Sequence, residues 1–169
     1  MIKGGKGGAN TNVTGLAFER VTSLEDALKA ANFEVEKFQV SSEGVYVGEL
    51  LGKSRLYKFL EAKDVDWRNR VSSKLLPDEA LYALNSKKLT VIEKKWQETS
   101  GSVDEKLQTC GFKMRQYRNL VDGLGIKVQF VYLLNDWFTQ ARYSDVLAYI
   151  RESGADYHFR SVPLELLDL

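Results

Sequence analysis

The chain has 169 residues, 44% hydrophobic and 28% charged, with a formal net charge of +1. That is enough apolar content to bury one core without help from a disulfide or a partner, and too little positive charge to hold nucleic acid by overall basicity. One cysteine, Cys110, and one histidine, His158, exclude a disulfide framework, a cysteine-rich zinc site and any nuclease built on paired histidines.

Residues 1–12 are rich in Gly and Asn and read as a flexible arm, leaving 13–169 as one domain. No apolar run is long enough to span a bilayer, and the start lacks the apolar stretch of a signal peptide, so a soluble, cytoplasmic protein is expected. No P-loop pattern occurs, which sets nucleotide hydrolysis aside.

In chain order, Gly15–Val21 reads as helical. Ser23 with Glu25 and Asp26 reads as the start of a second helix carrying Ala27, Leu28 and Ala31. Phe33–Val40 alternates as a half-buried strand, and Gly44–Gly48 follows as another. Leu56, Phe59 and Leu60 suggest a short helix inside an insertion from Gly52 to Leu75, where Arg68, Asn69 and Arg70 beside Trp67 are candidates to reach nucleic acid.

Ala80–Leu84 and Leu89–Ile92 have strand composition, with Asn85–Lys88 as a hairpin loop between them. Ser102 and Glu105 fit a capping box, opening a helix with the apolar stripe Leu107, Cys110, Met114, Tyr117 and Val121. Ile126–Leu134 suits a buried strand, Ser144–Ser153 a helix closed by Gly154, and Asp156–Arg160 a last strand that carries His158 as a structural imidazole. Strand, helix and strand in this order imply a parallel crossover, so the fold class is α/β with a mixed sheet.

The hairpin carries the chemistry. If Leu84 faces Leu89, Asp78 lies opposite Lys95 and Ala80 opposite Glu93. Period-two alternation then puts Asp78, Glu93 and Lys95 on one face, where a divalent cation could hold both carboxylates together. Charge is also uneven. Between Ser86 and Arg118, eight basic residues stand against Glu93, Glu98, Asp104 and Glu105, a net +4 that leaves the rest of the chain at −3. Lys106 and Lys113 lie within that basic segment and could neutralise backbone phosphates.

Pro77-Asp78 followed by Glu93-Lys94-Lys95, with Glu19 on an upstream helix, resembles the PD-(D/E)xK nuclease superfamily, and within it small type II restriction endonucleases. The resemblance implies a core of helix, three strands, helix and strand, here extended by a C-terminal helix and strand. It implies that Asp78, Glu93 and the Lys94 carbonyl ligate Mg2+, with Mn2+ as a substitute. Lys95 would orient or activate the attacking water, and Glu19 would be an accessory acid. Gln97, which shares the parity of Glu93 and Lys95, would touch the scissile phosphate or a neighbour. The implied activity is hydrolysis of double-stranded DNA by a homodimer. Gly15 to Arg20 also has the look of a Holliday-junction resolvase, which keeps a structure-selective nuclease open beside a non-catalytic nucleic-acid-binding module on the same scaffold.

Overall fold

A computed structural model of the chain describes residues 8–99 and 103–169. Helix α1 spans Gly8–Val21, so residues 8–12, expected as part of a flexible arm, are helical. Helix α2 (Leu24–Ala30) starts where its cap predicts: the Asp26 N–H donates to Ser23 Oγ at 3.2 Å, and Glu25 and Asp26 sit at the positive end of the helix dipole.

The expected strand over Phe33–Val40 is instead a hairpin, β1 (Glu34–Glu36) and β2 (Gln39–Ser42). Lys37 and Phe38 form its two-residue turn with φ of 48° and 74°. Both are in the left-handed region that a tight hairpin demands and that neither side chain advertises. Strand β3 (Val45–Leu50) follows.

Helix α3 (Arg55–Glu61) buries Leu56, Tyr57 and Leu60. The stretch after it is more than a surface insertion, because Val65 and Val71 also enter the core. Tyr57 ties the far end down: its hydroxyl accepts from the Leu75 N–H at 2.7 Å and donates to the Leu75 carbonyl at 3.0 Å.

Strands β4 (Glu79–Ala83) and β5 (Lys88–Lys95) form the expected antiparallel hairpin, but its register differs by two residues. Tyr82, not Leu84, faces Leu89, and the loop is Leu84–Lys87 with Lys87 at φ 49°. The reason is burial: Tyr82 is packed away, whereas Leu84 stays 41% exposed in the turn. A shift of two preserves every side chain's face. Continued one step past Glu79–Ile92, the ladder sets Asp78 level with Glu93 rather than with Lys95.

The helix expected from Ser102 is two helices, α4 (Val103–Leu107) and α5 (Cys110–Leu120), with a break at Gln108 and Thr109. Ser102 itself lies outside the described residues. The break leaves the stripe intact, since Leu107, Cys110, Met114, Tyr117 and Val121 are all buried. Strand β6 (Lys127–Leu134), helix α6 (Ser144–Glu152) and strand β7 (Asp156–Phe159) complete the crossover. Gly154 at φ 81° ends α6 in the conformation its position predicts. Arg160 lies past the end of β7 and forks onto Asp136.

Among the described residues, seven strands form one sheet in sequential order, antiparallel from β1 to β5 and parallel across β5, β6 and β7. Ala80, Tyr82, Leu89, Val91, Phe130, Tyr132 and Leu134 pack on one face against α3, α5 and α6. The alternate residues Leu81, Ala83, Ile92, Val131 and Leu133 pack on the other against α2. From α2 onward, β3–β4–β5, α5 and β6 reproduce the helix, three strands, helix and strand order, with α6 and β7 as the extension.

Candidate active site

Asp78 stands in the bend just before β4, fixed from both sides. Pro77 ahead of it is buried and its carbonyl accepts from the Lys53 N–H at 2.8 Å. Gly52 passes so close that a Cβ there would lie 3.2 Å from the Asp78 carbonyl oxygen. The Asp78 carboxylate is aimed by the neighbouring strand, accepting from the Lys94 N–H at 2.8 Å.

Glu93 and Lys95 project from the end of β5 onto the face covered by α5. Lys95 Nζ donates to Glu93 Oε2 at 3.0 Å and to the Lys94 carbonyl at 3.0 Å, and lies 3.8 Å from Asp78 Oδ2. The structure therefore brings Asp78, Glu93, Lys95 and the Lys94 carbonyl together. The Glu93 side chain is 9% exposed and receives a second ammonium, Lys113 Nζ at 2.7 Å. Burial pushes its carboxyl upward, but Lys95 and Lys113 outweigh burial and hold the group below the ordinary carboxylate range.

Lys94 points to the opposite face. Its ammonium meets Glu79 Oε1 at 3.1 Å and donates to the Glu19 carbonyl at 3.1 Å. The Glu79 carboxyl is pushed up by burial, only partly offset by the Leu24 N–H and by Lys94. Glu19 is exposed on α1, where with Leu16 and Arg20 it faces Lys53, Asp78, Glu79 and Lys94 across an open cleft of about 890 Å³. Glu19 thus shares the cleft with Asp78, whereas Glu93 and Lys95 do not line it.

The remaining candidates divide. Gln97 is 4% exposed, its amide without a partner among the described residues, and its backbone is clamped by Asn135: the Gln97 N–H donates to Oδ1 at 3.2 Å and Nδ2 donates to the Gln97 carbonyl at 2.8 Å. Arg70 has a structural task, since its Nη1 donates to the carbonyls of Leu120 at 3.0 Å and Asp122 at 2.7 Å, where α5 ends. Asn69 is tied to Asp66 and Arg68 lies over the Trp67 ring, both exposed. Lys106 is exposed on α4, whereas Lys113 turns inward to Glu93. His158 stands on β7 beside Asp156, Nε2 to Oδ2 at 3.4 Å.

Three contributions escape sequence reading. Lys113 is expected only as a phosphate contact within the basic segment, and its ion pair with Glu93 leaves no mark in the sequence. Asn135 follows a strand and matches no motif. Tyr117 reads only as one member of an apolar stripe, yet its hydroxyl is buried without a partner among the described residues. Burial first, and then the Glu93 charge, pushes the phenol far up, so Tyr117 stays a neutral donor.

Among the described residues, no three acid, histidine or cysteine side chains cluster closely enough to hold a metal by themselves. The donors at hand are the carboxylates of Asp78 and Glu93 and the Lys94 carbonyl. This all-oxygen set fits a magnesium ion, which takes one or two carboxylates and keeps several waters. Among the described residues, no helix is long and apolar enough to cross a membrane.

No curated protein and no solved structure matches the chain. Residues 22–152 match the family model of a PD-(D/E)XK nuclease superfamily domain, a span from the residue before the α2 cap to the end of α6 that includes the whole hairpin and both helices behind it. With that match over more than half its length, and with the fold order just described, the chain belongs to the PD-(D/E)XK nuclease superfamily.

Proposed function

We propose that the protein is a magnesium-dependent endonuclease of double-stranded DNA, sequence-specific in the manner of small type II restriction enzymes and acting as a homodimer. One observation carries this reading: a single ammonium, Lys95 Nζ, stands between two carboxylates, one on β5 and one in the bend before β4, 3.0 Å from Glu93 and 3.8 Å from Asp78. Asp78, Glu93 and the Lys94 carbonyl would hold the ion, for which manganese is an accepted substitute. Magnesium, when bound there, acidifies a water and offsets negative charge on the phosphate.

Lys95 supplies what the carboxylates cannot. Its ammonium, held by the Lys94 carbonyl and Glu93, orients the attacking water or donates to a phosphate oxygen as charge builds there. Asp78 keeps its aim through a backbone donor, so it is in place before any ligand arrives. Glu19, across the cleft, is an accessory acid. Exposed Lys106, Arg68 and Asn69 are available to phosphates; Arg70 is committed to the end of α5.

Plasmid DNA incubated with protein and magnesium should give discrete fragments, and Asp78→Ala or Lys95→Ala should abolish them. Cutting that survives either substitution ends the assignment. Preference for four-way junctions over linear duplex would replace the restriction-like reading with a structure-selective one.

A further inference from the structure

The side chains of the cluster balance one another in charge. Asp78 and Glu93 contribute two negative charges, and Lys95 and Lys113 contribute two positive ones. The two ammoniums are not held alike. Lys95 is engaged by Glu93 Oε2, by the Lys94 carbonyl and, at 3.8 Å, by Asp78 Oδ2. Lys113, among the described residues, is engaged by Glu93 alone, at 2.7 Å, and its side chain is 24% exposed where Lys95 is 13% exposed.

A divalent cation placed on Asp78 and Glu93 would raise the local charge to about +2, in a partly buried setting where like charges repel strongly. One ammonium must give way, and the one with a single anchor and an open route to solvent is Lys113. Lys95 cannot leave without losing three partners.

We propose that Lys113 is a resident counter-cation, a positioning residue that holds Glu93 while the site is metal-free and yields the carboxylate when a divalent cation binds. The proposal rests on Asp78 and Glu93 being the metal ligands, as read under Proposed function. Lys113 thereby sets how much cation the enzyme needs before Glu93 is released. A lysine that merely propped up the fold would, on removal, weaken cation binding or leave it alone. A competing counter-charge would, on removal, strengthen it.

The test is calorimetric titration of calcium chloride into the DNA-free protein. Wild type should bind, Lys113→Gln should bind roughly tenfold more tightly, and Lys113→Arg, which keeps the charge, should match wild type. Lys113→Gln affinity that is unchanged or weaker overturns the proposal. Asp78→Asn separates this failure from that of the underlying site: if wild type binds no calcium, or Asp78→Asn binds it as well as wild type, the metal assignment falls and takes the proposal with it. Should Lys113→Gln not fold, 15N-lysine-labelled wild type decides the matter. The Lys113 Nζ resonance should move on calcium addition as its Glu93 contact is lost, and a resonance that stays put overturns the proposal.

Discussion

Asp78 and Glu93 are equivalent as prospective ligands but very unequal as parts of the fold, and neutral isosteres expose the difference. In Glu93→Gln, two ammoniums that now donate at 3.0 and 2.7 Å lose their countercharge in a setting where their side chains are only 13% and 24% exposed. Breaking a buried pair costs about 3–5 kcal/mol. The surviving amide oxygen and the partial exposure of Lys113 reduce this to about 2–3 kcal/mol. In Asp78→Asn, the amide oxygen still accepts the Lys94 N–H. The lost ion pair is 3.8 Å long with an aspartate 37% exposed, worth about 0–1 kcal/mol. Urea unfolding at pH 7 in chelator should therefore separate the two variants by about 2 kcal/mol, although both lose cleavage.

The same gap must depend on pH, in a sense fixed by Glu93. Its folded pKa lies below its unfolded value, because Lys95 and Lys113 outweigh the upward push of burial. Its contribution is then complete above the unfolded value and is lost as pH falls through the folded one. The penalty of Glu93→Gln should shrink under acid, with little change between pH 6 and 8. Equal destabilisation by the two variants at pH 7, or a penalty that grows in acid, would refute the assignment of Lys95 and Lys113 as the groups that hold Glu93.

Arg70→Ala should cost about 1.5–3 kcal/mol in urea unfolding, because it strips charged donors from the carbonyls at the end of α5, while the salt dependence of DNA binding stays as in wild type. Gly52→Ala should lower the cleavage rate by on the order of tenfold with little change in melting temperature, since the added Cβ, 3.2 Å from the Asp78 carbonyl oxygen, displaces that residue by a few tenths of an ångström. Asn135→Ala should remove both side-chain hydrogen bonds to the Gln97 backbone, cost about 1–2 kcal/mol, and raise amide hydrogen exchange at Gln97.

The hairpin shows how much of such a site can be read from residues alone. Its register is two residues away from the expected one, yet Asp78, Glu93 and Lys95 share a face because strand alternation repeats every two residues. The α5 stripe and the glycine closing α6 are legible for similar reasons, since helical spacing and a left-handed terminus each leave a local signature. Lys37 and Phe38 leave none: they take the left-handed conformation that usually recruits Gly or Asn, and only pairing with β2 accounts for it. Arg70 is illegible for another reason. Beside Trp67 it has the composition of a nucleic-acid contact, but its partners lie on a helix end about fifty residues away, and long-range capping has no spacing rule.

The middle residue of the Glu93-Lys94-Lys95 triplet shows how the site is held from both sides of the sheet. Strand alternation sends adjacent lysines to opposite faces, and each finds a carboxylate: Lys95 finds Glu93, Lys94 finds Glu79. Between them, the Lys94 N–H aims Asp78 and the Lys94 carbonyl receives Lys95. The Lys94 side chain is 5% exposed, and its ammonium also donates to the Glu19 carbonyl and so ties α1 to the same strand end. One residue that would hold a metal only through its backbone thus fixes the orientation of Asp78, the seat of Lys95 and the near wall of the cleft. The direction of Asp78 is set by a peptide group that no change of pH or salt removes. That of Glu93 depends on two side-chain charges, one of them replaceable, which makes Glu93 the adjustable member of the pair.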